Sequence, residues 1–388
     1  MERGRTPPPD SAGHHQQHDV GGVAAPATRD EPPGAGPSPL PRLYPQGVRR
    51  AFGQEFDVRD GYLNTASLGV PPRTAVEALR RTVDAWAVGS AQPGDFDEAV
   101  GSARAAYGGL VGAPVEDVSI GGSASALVGL VAASVPDGTR VVTAHDEFTS
   151  TTFPFAAQHA RRVTVTEVPL AEVADAAASA DLVAVSIVQS SNGSVVDLAA
   201  LREVAATGTT VVLDATQALG WLPLDVGWAD AVVAGGYKWL LCPRGAAWMS
   251  TSPRLRDALV PHTANWYAGA DPWQSIYGLP LRLADDARRL DASPAWWCHV
   301  GAAVTLPWLA SIDAGRVRDR CVGLADVFLE GLGLPPQGSA IVSVDVPDGL
   351  ARLGAAGVTA SSRGGRTRLA FHLYNDESDV ERALGALR

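Results

Sequence analysis

Between Val211 and Leu241 the chain twice runs a short apolar stretch into a polar tip. Val211, Val212 and Leu213 end in Asp214, with Gln217 just beyond. Ala231 to Ala234 ends in Gly-Gly-Tyr-Lys-Trp, which puts Lys238 at the tip. Both runs are apolar at every position rather than at every second one, the mark of strands covered on both faces. Short apolar runs recur at Arg140 to Thr143, Val163 to Val168, Leu182 to Val188 and Ala246 to Met249, mostly separated by alanine-rich helical segments. Strands alternating with helices predict an α/β fold with a mostly parallel sheet flanked by helices. Such sheets bind ligands outside the carboxyl ends of their strands, where Asp214 and Lys238 fall.

An acid and a lysine at successive strand ends fit one cofactor chemistry. A lysine amine forms a Schiff base with pyridoxal 5'-phosphate (PLP), and a carboxylate keeps the cofactor's pyridinium nitrogen protonated, so that the ring withdraws electrons. The lysine must be partly neutral, which burial or a neighbouring cation brings about. Taken singly, an Asp or Lys at a strand end is more often a turn residue or surface charge. The pairing, with glycines before the lysine, favours chemistry. Upstream, Val118 to Ser125 reads VSIGGSAS and leads into a helix of small residues. A glycine-rich turn feeding a helix offers free N–H groups and the positive end of the helix dipole to a phosphate. Ser123 suits a plain helix N-cap equally well. The turn does not read G-x-G-x-x-G, which argues against a nicotinamide dinucleotide.

These motifs, in this order, resemble the aminotransferase class V family of fold-type-I PLP enzymes over roughly Tyr62 to Arg388. The resemblance implies a large PLP-binding domain with a mostly parallel sheet and a smaller C-terminal α/β domain. By that resemblance Lys238 holds the cofactor and acts as base at Cα, Asp214 pairs with the ring nitrogen, and Gln217 bonds the ring oxygen. Ser123 and the backbone of Ala124 cradle the phosphate. Phe148, after Glu147, stacks on the ring where desulfurase members carry a histidine; ordinary core packing is the other reading of Phe148. Asn192, in Gln189-Ser190-Ser191-Asn192-Gly193, matches a family asparagine near the substrate carboxylate, although Asn-Gly is also a turn dipeptide. Arg368, six residues before Tyr374, binds the substrate α-carboxylate through its guanidinium fork. Arg366 lies on the same strand face and is its rival; register favours Arg368.

Two departures from the family pattern matter. Many members carry Ser or Thr three residues before the lysine, where this chain has Gly235, and His beside it, where this chain has Tyr237. Phosphate contacts are therefore expected from Tyr237, Ser123 or the partner subunit. Desulfurases also need a cysteine on a late loop, and Cys242, Cys298 and Cys321 all lie outside Pro335 to Pro347. The resemblance thus points to the isopenicillin-N-epimerase-like and cysteine-conjugate-lyase-like branch.

Residues 1–42 are rich in Pro, Gly and polar residues and read as a disordered tail, including His14, His15 and His18. Residues 43–262 are expected to form the N-terminal segment and large domain, and 263–388 a Trp-rich linker and the small domain. No apolar core marks a signal peptide in the first twenty residues, and no stretch reaches membrane-spanning length. The net charge of −11 offers no basic footprint for nucleic acid. Three irregularly spaced cysteines suggest neither disulfides nor a zinc site and fit the cytoplasm. Trp266 to Gly269 and Ser275 to Gly278 fall where the family crosses to a partner's site, which implies a homodimer. The expected activity is therefore on a small-molecule α-amino acid. With no histidine over the ring, Lys238 is the obvious proton shuttle. That suits epimerisation or β-elimination at least as well as transamination; the resemblance, whose members with an aromatic stacker include lyases of cysteine conjugates, tips the expectation slightly to β-elimination. Retention of Lys238, Asp214 and Arg368 argues against a non-catalytic PLP-fold binding protein.

Overall fold

The apolar runs zip into one seven-stranded sheet, as the alternation of strands and helices predicts. In the computed structural model, which describes residues 47–388, a hairpin of β1 (Arg49–Ala51) and β2 (Gln54–Phe56) comes first. The large sheet follows: β3 (Val118–Gly121), β4 (Arg140–Ala144), β5 (Thr164–Val168), β6 (Leu182–Ser186), β7 (Thr210–Asp214), β8 (Ala231–Gly235) and β9 (Ala247–Thr251). Its order is β3-β9-β8-β7-β6-β4-β5, parallel from β8 to β5, with β9 antiparallel to both neighbours. The expected tail, with its three histidines, lies outside the described residues.

Strand periodicity explains why these runs are apolar throughout. Val211 and Leu213 point into one apolar cluster and Val212, between them, into another. Val183, Val232 and Ala234 join the first; Leu182, Ala184 and Val233 join the second. Helices cover both faces. The first cluster packs residues of α2 (Asp97–Val111), α6 (Leu198–Ala206), α8 (Trp296–Ser311) and α9 (Ala314–Gly331). The second packs α3 (Ala124–Ser134) and α4 (Thr149–Ala156). The remaining helices are α1 (Arg73–Ala87), α5 (Val173–Ala176), α7 (Pro253–Ala258), α10 (Gly349–Ala355) and α11 (Glu377–Leu387). Edge strand β5 carries Thr164, Thr166 and Glu167, polar residues that discourage further pairing.

A second sheet, order β10-β12-β11, is built from β10 (Ile341–Val344), β11 (Ser361–Arg363) and β12 (Arg366–Ala370). It shares a separate apolar cluster with α9 and α11, including Phe328, Leu369, Phe371 and Val380. β10 lies within the expected stretch Ser339 to Val344, and β12 overlaps the expected stretch Thr367 to Leu373. β11 escaped notice because Ser-Ser-Arg is polar and largely exposed. Its signal was the Gly364-Gly365 pair, both at positive φ, a hairpin turn chemistry. The Tyr62–Gly69 segment joins this sheet: Leu63 N donates to Thr359 O and Ala370 N to Leu63 O, each at 2.9 Å.

The open edge of β3 is closed by the chain around Asp291. Ala292 N donates to Ile120 O at 3.0 Å, and Ile120 N donates to the Asp291 carboxylate at 2.9 Å. Arg104 of α2 completes this with a buried two-point pair to Asp291, at 2.6 and 3.1 Å. Removing one partner leaves a buried charge unpaired. Arg104→Met is expected to cost about 3–5 kcal/mol of unfolding free energy, with Arg104→Met/Asp291→Leu recovering most of it. Urea midpoints of the two variants check this; a single variant as stable as wild type would overturn it.

Candidate active site

The register aligns the strand ends that carry the chemistry. Ser186 of β6 lies beside Asp214 of β7, which lies beside Val233 of β8. Beyond them opens a cleft of about 210 Å³, walled by Asp214, Gln217, Tyr237 and Lys238 at strand ends, Ser123 to Ser125 at the start of α3, and Phe148 at the start of α4. Asp214 is buried and held by two donors: Thr216 N at 2.8 Å and Thr151 Oγ1 at 3.4 Å.

Lys238 is the only lysine in the chain. It is 6 % exposed. Its Nζ stands 5.1 Å from the Phe148 ring centroid and 5.5 Å from that of Tyr237. No ion pair neutralises it among the described residues. Burial brings its pKa down to about 8. Asp214 opposes that shift, while Arg368, Arg363 and Arg244 reinforce it. Two glycines pack against the lysine loop. Gly69 N donates to Tyr237 O at 2.9 Å, and a Cβ on Gly69 would stand 2.0 Å from Lys238 O. A Cβ on Gly220 would stand 2.5 Å from Trp239 O. Only glycine permits both approaches, so the backbone at Lys238 and Trp239 is closely packed.

Ser123 caps α3 by accepting from Ala126 N at 3.2 Å. The N–H groups of Ala124 and Ser125, in the first turn, have no intrahelical acceptor. Phe148 precedes α4 and is 40 % exposed. Glu147 fixes it from behind: the buried carboxylate accepts from Phe148 N and Ser186 N at 2.8 Å, from Gln189 Nε2 at 2.9 Å, and from the Ser186 hydroxyl. Burial raises the Glu147 pKa. Gln217 lines the cleft with both ends of its amide engaged, accepting from Trp239 Nε1 at 2.8 Å and donating to Ala66 O at 3.0 Å.

Arg368 is 2 % exposed and stands behind the wall. It donates to Ser190 O, to Ser67 Oγ at 2.8 Å and to Ser361 Oγ at 3.1 Å. All three acceptors are neutral. Burial, reinforced by Arg363, lowers its pKa to about 10. A buried guanidinium with neutral partners retains its pull on an anion. Asn192 is not brought to this cleft. Its Oδ1 accepts from Ser194 N at 2.9 Å, closing a turn, and it lines a separate hollow with Arg366. Arg366 is spent on Ser343, donating to Oγ at 3.3 Å and O at 3.1 Å. None of the three cysteines lines the cleft, and burial raises all three thiol pKa values.

Sequence reasoning missed Glu147, Ser190 and Arg244 as parts of this region. Glu147 left a usable signal, an acid directly before the stacking aromatic. The uniqueness of Lys238 was legible too. Ser190 and Arg244 left none, because only folding brings them to the wall.

The family described as Aminotransferase class-V matches residues 92–345. Isopenicillin N epimerase of Streptomyces clavuligerus is 30% identical over 328 residues, covering 74% of this chain and 78% of that protein. The uncharacterized aminotransferase YcbU of Bacillus subtilis (strain 168) is 29% identical over 209 residues, covering 50% of this chain and only 55% of that protein. Among solved structures, the cysteine desulfurase CsdA from Escherichia coli superposes with a TM-score of 0.74 at 18% identity, over 85% of this chain and 95% of that one. A C-DES mutant with glycine covalently linked to the PLP cofactor superposes with a TM-score of 0.76 at 19% identity, over 85% of this chain and 96% of that one. At that identity the likeness shows the fold, PLP fold type I.

Because the chain has one lysine, its titration can be read directly. Acylation of Lys238 in cofactor-free protein is expected to rise with pH through about 8, against 10.5 for an ordinary lysine. Below that pH the amine is protonated and unreactive; above it the neutral amine reacts. Mass-spectrometric labelling across pH 6 to 11 measures this, and a midpoint near the ordinary lysine value would overturn the buried, unpaired placement.

Proposed function

We propose, for a chain that belongs to the aminotransferase class-V family and is a PLP-dependent enzyme, that it acts at Cα and Cβ of an α-amino acid and expels a Cβ substituent. The residues present fit the cofactor. The sole lysine is buried and unpaired, a carboxylate ends the neighbouring strand, an aromatic face borders the cleft, and free helix N–H groups stand at its far end. In this reading Lys238 holds the cofactor, Asp214 faces the ring nitrogen, Phe148 stacks and Gln217 sits at the ring oxygen. The first turn of α3, with Ser123, Ala124 and Tyr237, takes the phosphate. When bound, PLP supplies an electron sink for charge developing at Cα.

One observation carries the reaction type. The titratable side chains lining the cleft are Asp214, Tyr237, Lys238 and Arg244. Asp214 is assigned to the ring, burial raises the Tyr237 phenol, and Arg244 is a fixed cation. Lys238 alone is brought near neutrality. Its Nζ takes the Cα proton and can hand it to a departing Cβ substituent. Arg368 grips the α-carboxylate and orients Cα toward that amine. Glu147 cannot act as a second acid, because its oxygens are occupied by Phe148, Ser186 and Gln189. Epimerisation is the second reading, favoured by the relative named isopenicillin N epimerase over most of this chain.

The reading extends to a homodimer in the cytoplasm. Around Trp273 to Leu281 a row of apolar side chains faces solvent, with Tyr277 87% and Leu279 90% exposed. A second copy of the chain would cover it. Free cysteines agree with a reducing compartment. Among the described residues no helix is long and apolar enough to cross a membrane.

Incubation with L-cysteine S-conjugates is expected to release pyruvate and ammonia, and Lys238→Ala to lose about 10²–10⁴-fold or more of that rate. Loss of optical activity without pyruvate would replace elimination by epimerisation. Protein that stays colourless with added PLP would sink the whole reading. Sedimentation velocity is expected to give twice the chain mass, and Leu279→Asp to shift it to the monomer. A monomeric wild type at micromolar concentration would overturn the dimer.

A further inference from the structure

The cleft holds a cation to which the sequence reading assigned no part. Arg244 sits in the Pro243-Arg244-Gly245 turn that leads into β9. The backbone there is tightly held. Cys298 Sγ donates to Arg244 O at 3.2 Å. Gly245 adopts φ +128°, and a Cβ on it would stand 2.8 Å from that sulfur. Pro243 packs so closely on α8 that a Cβ on Gly301 would lie 2.5 Å from its ring. From this fixed base the guanidinium lies over the Tyr237 ring, with Cζ 5.2 Å from the centroid. Among the described residues no carboxylate pairs with it.

Two further observations place Arg244 at one end of the cleft. Gly121 pairs in register with Ala247, and a Cβ on Gly122 would lie 4.0 Å from Gly245 O. The turn bearing Arg244 therefore runs alongside the turn that feeds α3. At Gly235 a Cβ would touch Tyr237 Cε1 at 3.4 Å. The tyrosine ring thus lies over the bare glycine, and the guanidinium lies over the ring. A side chain missing at position 235 is replaced by an aromatic plate carrying a cation.

We propose that Arg244 is a phosphate-binding residue: its guanidinium, backed by the Tyr237 ring, pairs with the 5'-phosphate of PLP opposite the first N–H groups of α3. This rests on the reading that puts the phosphate at the start of α3. The helix end supplies only about half an elementary charge. A phosphate dianion is better matched when a full cation joins it. The guanidinium fork meets phosphate oxygens in two-point geometry. Stacking on Tyr237 holds the fork in place, so less rotamer freedom is lost on binding. The rival ligand, a carboxylate on the substrate's side chain, gives a different result in the same experiment.

Cofactor-free protein is titrated with PLP and with pyridoxal, which lacks the phosphate, and binding is followed by the visible absorbance of the lysine-bound aldehyde. For Arg244→Ala the PLP dissociation constant is expected to rise about 10- to 100-fold, the weight of a charge-assisted hydrogen bond. Pyridoxal binding is expected to stay unchanged, and Arg244→Lys to recover part of the difference. Equal losses for both ligands would mean that the arginine only supports the turn, and would overturn the proposal. So would unchanged PLP binding with a raised KM for the amino acid, which would assign Arg244 to the substrate. If the wild type binds PLP no better than pyridoxal, the phosphate does not sit at α3, and the reading beneath the proposal fails with it.

Discussion

Desolvation at the carboxyl edge of the large sheet governs this molecule. Apolar clusters cover both faces of the sheet, so any charge at the ends of β7 and β8 is cut off from water. Lys238 meets that condition without an ion pair, and its pKa falls to about 8 as a result. An exposed lysine would be almost wholly protonated at neutral pH, leaving little neutral amine to attack an aldehyde or take a proton. The same burial that stabilises the fold makes the amine reactive. Gly69 and Gly220 let neighbouring backbone pack closely on the loop that carries the lysine.

A single segment, Tyr62 to Gly69, contacts both Arg368 and the loop that carries Lys238. Its first residues join the small sheet through Leu63. Ala66 O then receives the Gln217 amide, Ser67 receives Arg368, and Gly69 meets the lysine loop. Arg368 and Lys238 belong to different sheets, yet both are tied to this one stretch. If Arg368 grips a carboxylate and Lys238 acts as base, as proposed, their spacing is tied to this one stretch of chain. Substrate orientation depends on such spacing, because a reacting atom displaced by about 1 Å loses much of its rate.

Around the cleft, cations outnumber the anions available to balance them. Arg368 has neutral partners, Arg244 lies on an aromatic ring, and Lys238 has only Asp214 near it. Such an arrangement costs stability, and it is tolerated where ligands carry the missing negative charge. A cofactor phosphate and a substrate carboxylate would supply it at opposite ends of the site. Glu147 takes no part in that balance. Buried among four donors, it positions Phe148 and the end of β6.

Much of this was legible in the chain. Unbroken apolar runs separated by alanine-rich segments determined the parallel sheet, because only strands covered on both faces can be apolar at each position. Asp214 and Lys238 were legible because chemistry at strand ends needs particular residue types there, and Gly-Gly before the lysine marked a close backbone approach. The hairpin strand β11 was not, since three polar residues carry no periodic signal. Asn192 and Arg368 show the limit most clearly. Both were expected together at one carboxylate. The fold turned Asn192 into its own turn, where Gly193 packs against β10 and a Cβ would stand 2.0 Å from Ile341 O. It buried Arg368 against Ser190 at the cleft wall. Local sequence determines which residues end strands and turn corners, because those preferences act over a few bonds. Which of those residues then face one another, and with what desolvation, was decided only by tertiary packing, since that depends on segments more than a hundred residues apart meeting in one register.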